Sequence, residues 1–476
     1  MPRRQVRIRA AHAEELRREL ADIRSELDVP GEFPAEVREE VAEVVEDVVP
    51  PELDLTDVPF VTIDPPESMD LDQALHLSRD GDGFVVRYAI SDVASFVRPG
   101  GAIDIEAHER GVTFYGPDGS APLHPVELSE GAASLLPDQT RPANVWEIKL
   151  DSSGAQRGDG VVRKALVRSR AKLSYRDVQD GIDAGSAGEM LELLPVIGGL
   201  RQEQELERGG VSLPLPDQEI VEQGGHLGLS YRYPLAVEGW NAQMSLLTGI
   251  AAAALMRQAG VGILRTLPEA EPHDLRTLRR TARAVHIDWL DDVPYSELLT
   301  GLDGDRPAHA AFLNAATGLF RGAGYAAFSG QPPPASRHAA IAAEYAHVTA
   351  PLRRLVDRYG LEVCVAACAG RDVPGWVVDA LPTVPEVMAK STGRASSYEG
   401  ACVSVIEAAV LAGREGEIFD GVIVDVDARD ERGVVVIDEP AIRGRVDGAD
   451  LPLGVQVRVR LEEASIQARR ISFALA

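Results

Sequence analysis

The residues most able to do chemistry lie in one short stretch, Phe60-Val-Thr-Ile-Asp64-Pro-Pro-Glu-Ser-Met-Asp70-Leu-Asp72-Gln73. A strand candidate over 59–63 carries Asp64 at its end, Pro65 and Pro66 force a fixed turn, and Asp70 and Asp72 follow within reach. Three carboxylates gathered this way are the ligands a hard cation such as Mg²⁺ prefers, with coordination positions left for water and a phosphate oxygen. Two such ions about 3.5–4 Å apart can activate a water and stabilise the leaving oxygen of a phosphodiester, so the pattern points to hydrolytic phosphoryl chemistry. Spacing alone does not decide it. In a chain with 75 acidic residues, Asp-x-Asp pairs also arise on solvated turns.

The elements that must position these carboxylates are of both kinds. A further strand candidate at 84–90 follows the turn signal Asp80-Gly-Asp-Gly83, so the early part reads as a β-rich core. Leu16, Leu20, Ile23 and Leu27 recur at helical spacing among charges over 11–27, and a second helix is expected over 35–48. Ala-rich helical patterns cover 238–255, 308–319, 350–369 and 384–411. After Gly413, strand candidates at 417–426, 433–437, 442–446, 455–461 and 466–473 are separated by Asp, Arg and Gly turns. Five strands in so short a span suggest an OB-type barrel, a module that often presents a face to single-stranded nucleic acid. The expected class is therefore mixed α+β, divided into a helical segment at 1–52, a catalytic domain at 53–411 and the small barrel at 412–476.

Composition narrows the field. With 476 residues, about two to four domains with buried cores are expected. Three cysteines fit a reducing compartment, and no apolar run such as 246–256 approaches the ~18 residues of a membrane span, so a cytoplasmic, non-membrane protein is expected. A net charge of -27 repels nucleic acid at long range, so a polyanion must be gripped by a local basic groove helped by divalent cations. The basic residues are nearly all arginine, with lysine only at 149, 164, 172 and 390.

Residues 53–142 resemble the opening of the RNase II/RNase R (RNB-domain) exoribonuclease family. The likeness begins at Thr62-Ile-Asp64 and runs through Asp70, Asp72 and Gln73 to Ile90-Ser-Asp-Val-Ala-Ser-Phe-Val97, Asp104-Ile-Glu-Ala-His-Glu-Arg-Gly111 and Pro122-Leu-His-Pro-Val-Glu-Leu-Ser129. Later, Tyr345-Ala-His-Val-Thr-Ala-Pro-Leu-Arg353-Arg354 is similar to the family's Tyr-x-His-Phe-Thr-Ser-Pro-Ile-Arg-Arg segment. The resemblance implies a Mg²⁺-dependent hydrolytic 3′→5′ exoribonuclease, with Mn²⁺ as an alternative ion, that releases nucleoside 5′-monophosphates from single-stranded RNA. It implies that Asp64, Asp70, Asp72 and Gln73 hold the metal, with Gln73 assisting through water, and that Arg353 stabilises charge at the scissile phosphate. Tyr115 and Tyr175 fall where the family stacks on terminal bases, worth ~1–3 kcal/mol per base, and Glu399 where it approaches the terminal ribose. Pro351 suits a helix start that would offer a phosphate site beside Arg353. His347 reads as structural.

The departures are specific. Gln73 supplies no charge where the family has a fourth acidic residue, Asn241 and Ala242 replace an acidic pair, and Leu355 replaces a tyrosine. Residues 1–52 leave no room for cold-shock domains, and their helices are expected to dock on the chain's own body, the protein being a monomer. Two rival readings remain open: a weakened or inactive RNA-binding protein on the same fold, and a metal-dependent phosphoesterase of small molecules.

Overall fold

The computed structural model describes residues 13–213, 216–223, 226–304, 306–427 and 431–476. Phe60–Ile63, Gln73–Asp80, Gly83–Ser91, Thr140–Leu150 and Gln156–Leu173 form a closed barrel. Four of its five junctions are antiparallel; closure comes from Phe60–Ile63 lying parallel to the end of Gln156–Leu173, with Ile63 opposite Leu173. The residues on the barrel face that meets the helices are large and apolar, Tyr88, Trp146, Val86 and Ile148 among them, and each is essentially removed from water. The parallel seam matters for function, because it sets the end of the first strand beside the end of the last.

Helices cover this barrel. Ala236–Ala259 and Leu355–Cys368 pack against each other and against Gln156–Leu173, and Glu189–Glu207 lies along Ala236–Ala259. Val384–Leu411 is the longest helix, and its expected limits are met to the residue. The helix expected from 350 starts only at Leu355. Pro351 therefore opens no helix: the Ala350 N–H donates to Asp357 and the Leu352 N–H to Asp72, so these amides serve side chains and not a helical first turn. The five expected strands after Gly413 are all present as Ile418–Asp427, Arg432–Ile437, Ile442–Asp447, Gln456–Ser465 and Arg470–Leu475, closed into a second barrel.

Both N-terminal helices dock. Ala13–Glu26 lies on Val384–Leu411 and buries Leu16, Leu20 and Ile23, while Glu19 and Glu26 reach Arg469 in the second barrel at 3.3 and 2.5 Å. Ala35–Glu46 buries Val37, Val41 and Val44 against Val93, Phe96, Ile103 and Leu352. The last contact is with the loop that carries Arg353. If the first helix is an integral part of the core, Ile23→Ala should cost about 2–5 kcal/mol, whereas Ile105→Ala, 61% exposed, should cost less than about 0.5 kcal/mol. Chemical denaturation of the two variants makes the comparison, and equal losses would contradict it.

Candidate active site

Asp64 stands at the barrel seam. Its N–H donates to the Leu173 carbonyl at 3.0 Å, and Lys172, paired with Thr62, folds its Nζ back onto the Pro66 carbonyl at 2.6 Å. The two-proline turn is thus tied to the neighbouring strand rather than swinging free. The rest of the acidic turn is pinned by Ser134-Leu135. Ser134 Oγ donates to the Met69 carbonyl (2.6 Å) and accepts from the Leu71 N–H (3.0 Å), and the Leu135 N–H donates to the Leu71 carbonyl (3.0 Å). The Ser91 N–H holds the Asp72 carbonyl at 2.9 Å. Leu71 fills the core, and the alternation that buries it presents Asp70 on the other side.

Asp72 is the joint of the site. Only 4% exposed, it accepts from the Leu352 N–H at 2.8 Å through one oxygen and faces Arg353 Nε at 3.3 Å through the other. The Arg353 backbone is fixed independently, because its carbonyl accepts from the Thr113 N–H at 3.1 Å and the Leu355 N–H donates to the Gly111 carbonyl at 3.0 Å. On the far side of the same loop, Asp357 accepts from the Ala350 N–H and from two nitrogens of Arg354 at 2.7–2.9 Å. Arg353 itself keeps a side chain 43% exposed, so its guanidinium is open to a ligand.

The expected residues fall into two places. Asp64, Asp70, Asp72, Arg353, Tyr115 and Tyr175 interact electrostatically as one group. Burial, followed by repulsion from Asp70, raises Asp64 to about 6; burial raises Asp72 to about 8 against the pull of Arg353; Asp70 is raised by burial as well. Tyr115 comes from the hairpin formed by Phe114–Gly116 and Gly119–Ala121, is 53% exposed, and turns its hydroxyl to Asp70. Tyr175 opens the helix Tyr175–Asp183 just beyond the barrel seam and hydrogen-bonds Asn241. Glu399 sits elsewhere. It lines a cleft of about 700 Å³ with Gln218, Ser404, Glu407 and Arg443, where the long helix meets the second barrel.

Each end of the Gln73 amide has a partner within the protein. Its Nε2 donates to the Thr349 carbonyl at 2.5 Å and its Oε1 accepts from the Tyr88 hydroxyl at 2.7 Å. His347 is half-buried against Tyr325, its Nδ1 2.7 Å from the hydroxyl. Sequence reasoning missed Lys172, Tyr88 and Ser245. Lys172 had a signal, as one of four lysines in a chain that otherwise uses arginine.

Among the described residues, no three or more His, Cys, Asp or Glu side chains are arranged as a ready metal cage. The donor chemistry nonetheless suits a hard cation. Asp64 and Asp70 are half-buried, repel each other, and have Arg353 and Lys172 as opposing charges nearby. A divalent ion would relieve that cost, and Mg²⁺ commonly takes one or two carboxylates and completes its shell with waters and substrate phosphate.

Residues 52–363 match the model of the RNB domain. The chain belongs to the RNB family. Residues 417–476 match the RNase II-type exonuclease C-terminal S1 domain, which is the second barrel. This RNB-family chain is 26% identical to ribonuclease R of Aquifex aeolicus over 94% of its own length and 69% of that protein's. It is 28% identical to ribonuclease R of Mycoplasma genitalium over 64% of its own length, and there it spans 43% of the relative. The structure of the Mycoplasma genitalium enzyme in complex with ribose methylated single-stranded RNA superposes with a TM-score of 0.86 at 21% identity, covering 97% of this chain and 78% of that one. Yeast Ssd1, a pseudonuclease, superposes with a TM-score of 0.67 at 16% identity, covering 93% and 57%. No described helix is long and apolar enough to cross a membrane.

His124 supports the Pro351 turn from below, fully buried and hydrogen-bonded to the Pro351 backbone, and burial with nearby Arg358 lowers it to about 3. The folded pKa lies below the unfolded value of 6.5, so below pH 6.5 the unfolded chain takes up a proton that the folded one refuses, and stability falls as pH falls. Asp72, raised to about 8, has the opposite sign across the same window. Removing the histidine isolates its share. Relative to the parent, His124→Gln should gain up to about 2 kcal/mol of stability between pH 7 and pH 5, and a pH-independent difference in denaturation midpoint would contradict the buried neutral state.

Proposed function

We propose that this protein is a divalent-cation-dependent hydrolytic exoribonuclease that shortens single-stranded RNA from the 3′ end and releases nucleoside 5′-monophosphates. The observation that carries the reading is the convergence of one buried and two half-buried aspartates, one half-exposed arginine and two tyrosines beside the seam of an RNB barrel. Bound there, Mg²⁺ or Mn²⁺ would supply charge neutralisation and an activated water. Asp64 and Asp70 would hold it, with Asp72 beside them. Arg353 would meet the scissile phosphate preorganised by Asp72 and by its own anchored backbone, so it would reorganise little as charge grows on the phosphoryl oxygens. Tyr115 and Tyr175 offer aromatic faces to the last bases, which accounts for sequence-tolerant binding. Glu399, in its separate cleft, would touch RNA only outside this group.

The working unit spans 53–411, the S1 barrel at 412–476 adds RNA contact, and the protein acts as a cytoplasmic monomer. A second reading, an RNA-binding protein without turnover, draws on Gln73 at the fourth acidic position and on the lack of a preformed cage among the described residues. Retention of Asp64, Asp70, Asp72 and Arg353 favours turnover, since a site released from catalysis is free to lose any of them.

The test is a 5′-labelled single-stranded oligoribonucleotide incubated with the protein in Mg²⁺, Mn²⁺ or EDTA. A ladder shortening from the 3′ end should appear with either metal and vanish in EDTA. Arg353→Ala should lower kcat by about 10²–10³-fold, and Asp72→Asn, which sets an amide N–H₂ against the guanidinium, should abolish the ladder. RNA binding without shortening would select the second reading.

A further inference from the structure

Gln73 opens the strand that follows Asp72, and one of its two partners, Thr349, lies on the loop that carries Arg353. Asp72 holds that loop through the Leu352 N–H, and Gln73 holds it three residues earlier through the Thr349 carbonyl. The other end of the Gln73 amide is fixed by Tyr88, whose hydroxyl also lies 3.0 Å from Ser245 Oγ on the Ala236–Ala259 helix. A primary amide can donate to the carbonyl and accept from the phenol at once. An ionised carboxylate cannot: it has no N–H, and it would set an acceptor against the Thr349 carbonyl at a distance of 2.5 Å.

We propose that Gln73 is a positioning residue that ties the acidic turn to the Arg353 loop, and that this position has ceased to be a metal ligand. The loop is held at Thr349, Ala350 and Leu352, and the first of these ties exists only while residue 73 can donate. An acidic residue at this position, which the family resemblance suggests would be harmless or helpful, would instead push the loop outward and take Arg353 off its mark. The consequence for rate rests on the exoribonuclease reading; the tie itself does not.

The experiment compares the parent with Q73E, Q73D, Q73A and Y88F by hydrogen–deuterium exchange of a peptide spanning 349–353, by kcat, and by RNA affinity in EDTA. Q73E keeps the shape and removes the donor; Q73A removes the tie without adding charge and keeps the test readable if Q73E fails to fold. Exchange in the loop should rise about tenfold or more in both, while the C-terminal barrel exchanges as in the parent. With saturating Mg²⁺, kcat should fall by about 10²-fold with RNA affinity little changed, and Y88F, which leaves the donor in place, should lose less. Unchanged loop exchange in Q73E and Q73A would overturn the proposal, as would faster exchange with full kcat. A Q73D protein with tighter Mn²⁺ binding and higher activity at low Mg²⁺ would restore the ligand role and overturn it too. If the parent itself leaves RNA intact, the nuclease reading falls, and the exchange data still decide whether the tie exists.

Discussion

The contact between Asp72 and the Leu352-Arg353 backbone and side chain joins two parts of the chain separated by 280 residues. Everything around it serves to make that contact in one geometry. The acidic turn is pinned by Ser134 and Leu135 from one side, and the arginine loop by Thr113, Gly111 and Asp357 from the other. A buried carboxylate with a single guanidinium beside it is costly to hold ionised. The structure tolerates it because one oxygen has a backbone donor and the other faces Arg353 at an opening, where a phosphate could share the arginine.

The seam of the first barrel has a related role. An antiparallel closure would have set the end of the first strand against the opposite end of the last. The parallel pairing of Ile63 with Leu173 instead brings Asp64, Lys172 and, two residues beyond the strand, Tyr175 to the same rim. Opposite charges and an aromatic face therefore arrive together from topology alone, with no need for a long loop to carry them.

How much of this was legible depended on the range of the interactions. The helix Val384–Leu411 could be read to the residue because its periodicity is local. The five strands of the second barrel could be read from turn residues and alternation, although the last begins at Arg470 rather than near Ile466, where a turn intervenes. The helix expected from 350 failed at its start because Asp72 and Asp357 take the amides a helical turn would leave open, and neither capture is visible in the sequence. Thr140–Leu150 and Gln156–Leu173 were not singled out because charged residues on their outer face break the apolar run. At the site, Asp64, Asp70, Asp72, Arg353, Tyr115 and Tyr175 were found by motif and meet in space. Gln73 was found and given another role, because its decisive partner is a backbone carbonyl 276 residues away. Backbone acceptors carry no letter of their own.

The clasp between Arg469 and the glutamates of the first helix bears on how such a molecule comes off the ribosome. The apolar stripe of Leu16, Leu20 and Ile23 has its cover in the helix Val384–Leu411, more than 350 residues downstream, and its ionic partner later still. At roughly 5–20 residues per second of synthesis, that stripe stays bare for on the order of 20–70 s. During that interval the helix exposes apolar surface that a chaperone would shield.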